Sequence, residues 1–435
     1  MHRICLTLPT NRACTGTISA LRAEAEYAAA HFDVEVRLLI LDSSDESDVA
    51  EHAKAAAEPT GTPKVIVHHL DETAQRSLLR RFIARADVPK PDLLLDLMLP
   101  PEVSYGACTN RAFLFAAALG CDSVHRRDSD STYQTWDGEP VFPVHHELMS
   151  LGKRAADAVG GVSDTRIEPA QAQRTVSLVG SSFVGELSVD IGEIQQLAPS
   201  VYHDVVSLWA PREWADEAKE ELVAEAFKGA GTDPFTGDHS TVGPVDPMRV
   251  DMCNISFHRE VYESVPLPPA TDTIGSDYFL MHLVHDAGLP GVLHNRHIVN
   301  YYTGERRTDA GFMAYQLRLV KFFLSMLYFN AVYGRLAEAG DTLLDDRVRL
   351  RADTVAALVR ESCWLDREEN EERLRSLDRS YRQLGGRYAE FAGLLAARGD
   401  RLLNEAQRDM EDFALLIEAW EPLIRVSREA GIDEQ

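Results

Sequence analysis

The chain has 435 residues, of which 45% are hydrophobic and 26% charged, with a formal net charge of −25. That is a soluble, globular composition, too long for one ordinary core, so two or three domains are expected. The acidic balance argues against DNA or RNA as the main partner, because a phosphate backbone demands a basic face, but a nucleotide needs only a local positive site.

In chain order, "RICLTLP" (3–9) predicts a strand ending at Pro9, and "TISALRAEAEYAAAHF" (17–32) a helix. "VEVRLLILD" (34–42) predicts a second strand ending at Asp42, followed by a helix over "SDVAEHAKAAAE" and a third strand over "KVIVHHL" (64–70). "ETAQRSLLRRFIARA" and "TNRAFLFAAALG" (109–120) read as helices, and "CDSVHRR" (121–127) as another strand. Alternating β and α units predict an α/β fold with a doubly wound, mostly parallel sheet. Ligands bind such sheets outside the carboxyl ends of the strands, so "LPTNR", "ILDSSD" and "RRDSDS" are expected to open onto one edge.

The stretch from about 136 to 309 is less regular. "TVSLVGSSFVGEL" (175–187) and "MRVDMCNISFHREVYESV" (248–265) look like strands, the second running into a short helix. Between them, "AGTDPFTGDHSTVGPVDP" (230–247) has a mobile-loop composition, either a passive surface loop or a lid over a site. From about residue 310 the pattern is helical. Leu317, Val320, Leu324, Leu327 and Ala331 form one apolar stripe, and Phe413, Leu416, Ile417, Trp420 and Ile424 another. The second stripe needs cover, either inside the tail itself or by symmetric pairing of tails, which would make a homodimer. Arg318 and Lys321 interrupt the most membrane-like run (312–334), which therefore reads as a buried helix, and no membrane partner is expected. Six scattered cysteines form no C-x-x-C pair and the start of the chain lacks a signal-peptide pattern, so a cytoplasmic location is expected.

The chemistry centres on "LGCDSVHRRDSDSTYQ" (119–134). In extended backbone residues i and i+2 point the same way, so Asp128 and Asp130 can both face one ion. Carboxylates suit Mg²⁺ or Mn²⁺, which also bind diphosphate oxygens. "DSDS" suits a plain turn equally well.

Taken together, "LPTNR", "LLILDSSD", "ACTNRAFLFAAALGCDSVHRRDSD", "DMCNISFHREVYESV" and "IGSDYFLMHLVHDAGLPGVLHNRHIVNYYTGE" resemble, in order, the segments of a GT-A fold, nucleotide-sugar-dependent glycosyltransferase. The resemblance implies a catalytic domain over 1–309, with a nucleotide-sugar half (1–135) and an acceptor half (136–309), before a helical domain (310–435). It implies nucleotide contacts from Pro9, Thr10, Asn11, Arg12, Asp42, Asn110 and Arg111, sugar or acceptor contacts from Asn254 and Ser276, and a metal held by Asp128, Asp130 and His297. Asp277 takes the acidic catalytic position. Plainer roles stand beside these: a strand-end turn for Asp42, a helix cap for Thr10 or Asn11, a turn for Asn254, and a helix N-terminal acid for Asp277.

Three features depart from the family pattern. Arg126 and Arg127 precede Asp128, where they could pair with phosphate or balance neighbouring acids. The acidic pair near the catalytic helix is reduced to Ser276-Asp277. His297 fits its position only approximately, and His294 competes for it. The implied activity is transfer of a sugar from a UDP- or GDP-sugar to a soluble small-molecule or natural-product acceptor, with a divalent cation. The tail after "YYTGERR" resembles mannosylglycerate synthase-like enzymes, which tilts the expectation toward retention. A sugar-1-phosphate nucleotidyltransferase is the first rival, but "PTNRACTGT" lacks its glycine-rich, lysine-containing loop. A non-catalytic nucleotide- or carbohydrate-binding protein is the second.

Overall fold

The computed structural model describes residues 2–187, 191–301, 304 and 308–432. Tyr302, Thr303, Glu305, Arg306 and Arg307, most of the "YYTGERR" segment, lie outside the described residues. In chain order the strands are β1 (His2–Thr10), β2 (Val34–Asp42), β3 (Val65–Leu70), β4 (Ser123–Arg127), β5 (Ser131–Tyr133), β6 (Thr135–Trp136) and β7 (Glu139–Pro140). They continue with β8 (Asp164–Thr165), β9 (Leu178–Gly180), β10 (Phe183–Gly185), β11 (Ser240–Gly243), β12 (Asn254–His258), β13 (Gly291–His294) and β14 (Ile298–Asn300).

A nine-stranded sheet runs in the order β3-β2-β1-β4-β12-β9-β13-β11-β8. β12 is antiparallel to both its neighbours, and β11 runs antiparallel to β13; the other pairs are parallel. The doubly wound, mostly parallel α/β fold expected from the alternation is thus present. Along β1 the pleat sends Ile4, Leu6 and Leu8 into one apolar layer and Cys5 into the other, so the strand is covered on both faces.

From β1 the chain winds to β2 and β3 on one side, then crosses to β4 on the other. The carboxyl ends of β1 and β4 therefore flank a point where the winding reverses, the position at which such sheets bind ligands. A second sheet, β10-β14-β5, braces the turn after β4, and the Tyr301 N–H donates to the Asp130 carbonyl at 3.4 Å.

The segment "TVSLVGSSFVGEL", expected as one strand, is split. β9 joins the large sheet and β10 the small one, with Ser181 and Ser182 at the corner. The supposed mobile loop 230–247 contains β11, paired antiparallel with β13.

The tail consists of helices Asp309–Ala339, Ala352–Ser362, Glu368–Leu384 and Gly386–Ala430. The last packs on the helices Glu72–Ala86 and Tyr105–Ala118 of the α/β part. One hydrophobic core runs without a break from Leu79 and Phe113 through Phe279 to Phe413 and Trp420, crossing residues 309 and 310. The stripe expected to seek a second subunit is therefore covered within the chain. Trp420 is fully buried with its indole N–H on the Tyr262 carbonyl at 3.0 Å, and Phe413 meets Phe279 edge-on. That removes the physical reason for expecting paired tails. No helix among the described residues is long and apolar enough to cross a membrane.

Candidate functional site

A cavity of about 1170 Å³ opens at the carboxyl ends of β1 and β4. Pro9, Thr10, Asn11 and Arg12 at the end of β1 line it, as do Arg126, Asp128, Ser129 and Asp130 at the end of β4. Asp251, just before β12, and Asp277 join them on its wall.

Arg126 and Arg127 are neighbours on a strand and so leave it on opposite faces. Arg126 enters the cavity, its guanidinium 3.0 Å from Asp128 and 3.1 Å from Asp277. Burial works against its charge, but the Asp128 carboxylate, with Asp277 beyond it, holds it protonated above the ordinary arginine range. Arg127 enters the layer behind the sheet, donating to Glu24 at 2.7 Å and to Glu147 at 3.0 Å. Both arginines thus balance acids.

Four carboxylates, Asp128, Asp130, Asp251 and Asp277, share this region with Arg126. Burial raises Asp128 to about 6; Arg126 opposes the shift, while Asp130, Asp277 and Asp251 add to it. Asp130 accepts from Arg12 at 3.0 Å. Asp251 accepts from the Tyr278 hydroxyl at 2.7 Å. Sequence reasoning missed Asp251, although it opens the quoted segment "DMCNISFHREVYESV"; an acid one residue from Met252 and three from a strand carries no motif of its own. Asp277 lies in a 3-10 turn, Ser276–Tyr278, that leads into helix Phe279–Asp286. Burial raises its pKa, and Arg126 opposes the shift. Gly275 before it has φ +73°, and a Cβ there would come within 2.6 Å of the Phe322 ring, so this turn requires glycine.

Several expected contact residues face elsewhere. Asp42 is fully buried and off the cavity wall, accepting at 2.8 Å from both His52 and His69 and from the Ser44 N–H at 3.0 Å. Burial pushes its pKa up, but these hydrogen bonds bring it well below the ordinary range. Asp42 thus takes the plainer role of a strand-end turn anchor, holding His52, His69 and the Ser44 turn together. Asn110 clamps Leu267, donating to its carbonyl and accepting from its N–H, both at 2.8 Å. Arg111 reaches the wall, but its guanidinium donates to Gln75 at 2.7 Å and to the Met98 carbonyl at 2.6 Å. Asn254 is buried off the cavity and donates to the carbonyls of Ser182 and Arg296. Ser276 is buried and likewise off the wall. Thr10 caps no helix: its hydroxyl bonds the Arg12 backbone, and helix Thr15–His31 starts from Cys14 without a side-chain cap.

The expected third metal ligand is also displaced. His297 does not line the cavity, and its Nδ1 lies 2.7 Å from the Ser181 hydroxyl. His294 is buried against His146, its rings stacked at 5.4 Å. Among the described residues no three His, Cys, Asp or Glu side chains converge as a ligand set. Asp128 and Asp130 on one turn, paired with Arg126 and Arg12 respectively, still fit a hard divalent cation, because such an ion takes one or two carboxylates and fills its other positions with phosphate oxygens and water.

Loop 230–247 is pinned rather than free. Asp238 pairs with Arg296 at 2.6 Å and His146 at 3.0 Å, and Asn295 bonds Gly237 and His239 on either side. That tethering argues against the expected lid.

No curated protein matches the chain. Among solved structures, glucosyl-3-phosphoglycerate synthase from Mycobacterium tuberculosis, in complex with Mn²⁺, uridine diphosphate and glucosyl-3-phosphoglycerate, is 14% identical, covers 75% of this chain and 80% of its own, and has a TM-score of 0.36. A mannosyltransferase from Pyrobaculum calidifontis, in complex with GDP-mannose and Mn²⁺, is 13% identical, covers 95% of this chain and 86% of its own, and has a TM-score of 0.36. Mannosyl-3-phosphoglycerate synthase from Rubrobacter xylanophilus is 13% identical, covers 61% and 56%, and has a TM-score of 0.27. One family model spans residues 2–435, and the chain therefore belongs to that family of unknown function, DUF6271.

Proposed function

We propose that the chain is a metal-dependent glycosyltransferase of the GT-A type, moving a sugar from a nucleotide-diphosphate sugar to a soluble small-molecule acceptor. The observation that carries the reading is the pairing of Asp128 and Asp277 with Arg126, with Asp130 and Asp251 on the same cavity wall, at the reversal point of the sheet.

Each part of the cavity has a role in that reaction. The corner formed by Pro9 to Arg12, Leu41, Ser43 and Arg76 suits a nucleoside and its phosphates. When bound between Asp128 and Asp130, a divalent cation supplies charge neutralisation for the departing diphosphate. Arg126 holds Asp277 in place, and the ion pair favours its carboxylate form. Asp277 then accepts the acceptor's hydroxyl proton or orients that hydroxyl on the donor's face. Retention is the outcome we favour, from the resemblance of the tail to mannosylglycerate synthase-like enzymes.

The test is incubation with UDP- and GDP-sugars and Mn²⁺. Slow, EDTA-sensitive release of nucleoside diphosphate, lost in Asp130→Ala, is expected. Pyrophosphate-dependent formation of nucleoside triphosphate would identify a nucleotidyltransferase instead, and tight donor binding without turnover a binding module.

A further inference from the structure

The cavity exceeds the needs of one ligand. Its volume of about 1170 Å³ lies above the roughly 300–1,000 Å³ of ordinary small-molecule sites. Its lining also changes character, from the carboxylates and arginines at the ends of β1 and β4 to a group of aromatic rings. Trp209 and Phe227 stack with centroids 5.2 Å apart, and Phe322 meets Trp209 edge-on at 5.2 Å. Met326 and Tyr333 continue this wall along helix Asp309–Ala339. Two charged side chains of the cavity wall that lie within four residues of these rings, Glu225 and Arg318, are engaged by Arg249 at 3.4 Å and Asp272 at 3.9 Å.

Two observations mark these rings as a built surface rather than surplus core. Phe227 has φ +63°, a conformation that bulky residues rarely adopt, and strain of this kind collects at ligand sites. The following turn holds it there: Gly229, at φ +59°, sits against Phe183, and the Ala230 N–H donates to the Phe183 carbonyl at 2.8 Å. Trp209 and Phe227 are also left half-buried and on the cavity wall, while the core aromatics Phe113, Phe279 and Trp420 are sealed. The ring group adjoins the acidic cluster, because Phe322 packs on Gly275, two residues before Asp277.

We infer that the acceptor is a planar aromatic alcohol, its ring lying against Trp209, Phe227 and Phe322 and its hydroxyl directed at Asp277. The inference rests on the transferase reading above. In the transfer, the acceptor oxygen bonds to the anomeric carbon of the sugar as the bond from that carbon to the diphosphate oxygen breaks. The electron pair of that bond leaves on the nucleoside diphosphate, whose departing oxygen takes the hydroxyl proton on the same face of the sugar while Asp277 orients that hydroxyl. Offset and edge-on ring contacts favour such a ligand over a polyol, which would leave its hydroxyls facing apolar walls.

2-Naphthol is the probe. Titrated into the full chain without donor, it is expected to quench tryptophan emission saturably, and Trp209→Leu to remove most of that response. Phe322→Ala should raise the half-saturating concentration at least tenfold, with Tm measured on both variants to establish folding; should Phe322→Ala not fold, Trp209→Leu decides. With a UDP- or GDP-sugar and Mn²⁺ present, mass spectrometry should detect a naphthyl glycoside. Nucleoside diphosphate release stimulated by glycerol or D-glycerate, with no saturable quenching by 2-naphthol, overturns the acceptor inference and leaves the transferase reading standing. Saturable, Trp209-dependent quenching in a chain that turns over no donor keeps the aromatic site but overturns both its acceptor role and the transferase reading.

Discussion

At Arg126 and Arg127 two adjacent, identical side chains do different work because a strand alternates its faces. Arg126 neutralises part of the cavity's acid cluster, while Arg127 serves a buried network with Glu24, Glu147 and His125. Replacing an acid in each tests the division. Asp277→Asn keeps shape and removes charge, and turnover is expected to fall at least about a hundredfold, the scale of a lost acid–base or electrostatic role, with Tm little changed. Glu147→Gln should have the opposite profile, costing about 3–5 kcal/mol of stability because Arg127 loses a buried partner, as read by denaturant unfolding. Glu147 also makes a pH prediction. Burial alone would raise its pKa, but Arg127 and His125 hold it at about 2, below its ordinary 4.5. A depressed carboxylate contributes stability in full above the ordinary value and loses it as pH falls toward the folded one. Acid unfolding between pH 4.5 and 2 should therefore be shallower in Glu147→Gln than in the parent.

At the scale of elements, the turn before helix Phe279–Asp286 sets where the catalytic candidate sits. Gly275 combines a left-handed φ with contact against Phe322, so Gly275→Ala must strain the backbone and push on the ring. That variant is expected to lose both stability and turnover, since Asp277 shifts with the turn, and differential scanning calorimetry beside the nucleotide-release assay would check it. The corner between β9 and β10 has the same positional importance. By sending one apolar run into two sheets, it places Ser182 and Phe183 on the cavity wall.

For the whole molecule, the long C-terminal helix is part of the core beneath the sheet. Trp420 and Leu416 are completely buried, and the helix lies on two helices of the α/β part. Changing both residues to polar ones should therefore unfold the chain rather than alter its oligomeric state. Loss of a buried Trp alone is worth about 3–5 kcal/mol. A folded double variant of reduced molar mass by light scattering would instead return this stripe to a subunit interface. A chain truncated after Leu384 should likewise fail to show a cooperative thermal transition.

The sequence by itself determined most elements of the first 127 residues and the helical kind of the tail. The strands over 34–42 and 65–70 and the helix over 72–86 were legible from hydrophobic period and flanking breakers, because those signals are local. It also placed the loop after β1 and the "DSDS" turn on one edge, since alternation of β and α leaves little choice of topology. What it left open depends on contacts between residues far apart in the chain. Asp42 looked like a ligand at a strand end until His52 and His69 enclosed it. Asp251 had no motif and reached the acid cluster through packing. The C-terminal stripe announced that it would be buried, yet only the packed molecule determined by what. A period of apolar residues states that a face must leave water, but the burying partner is set by three-dimensional complementarity, which one-dimensional order does not encode.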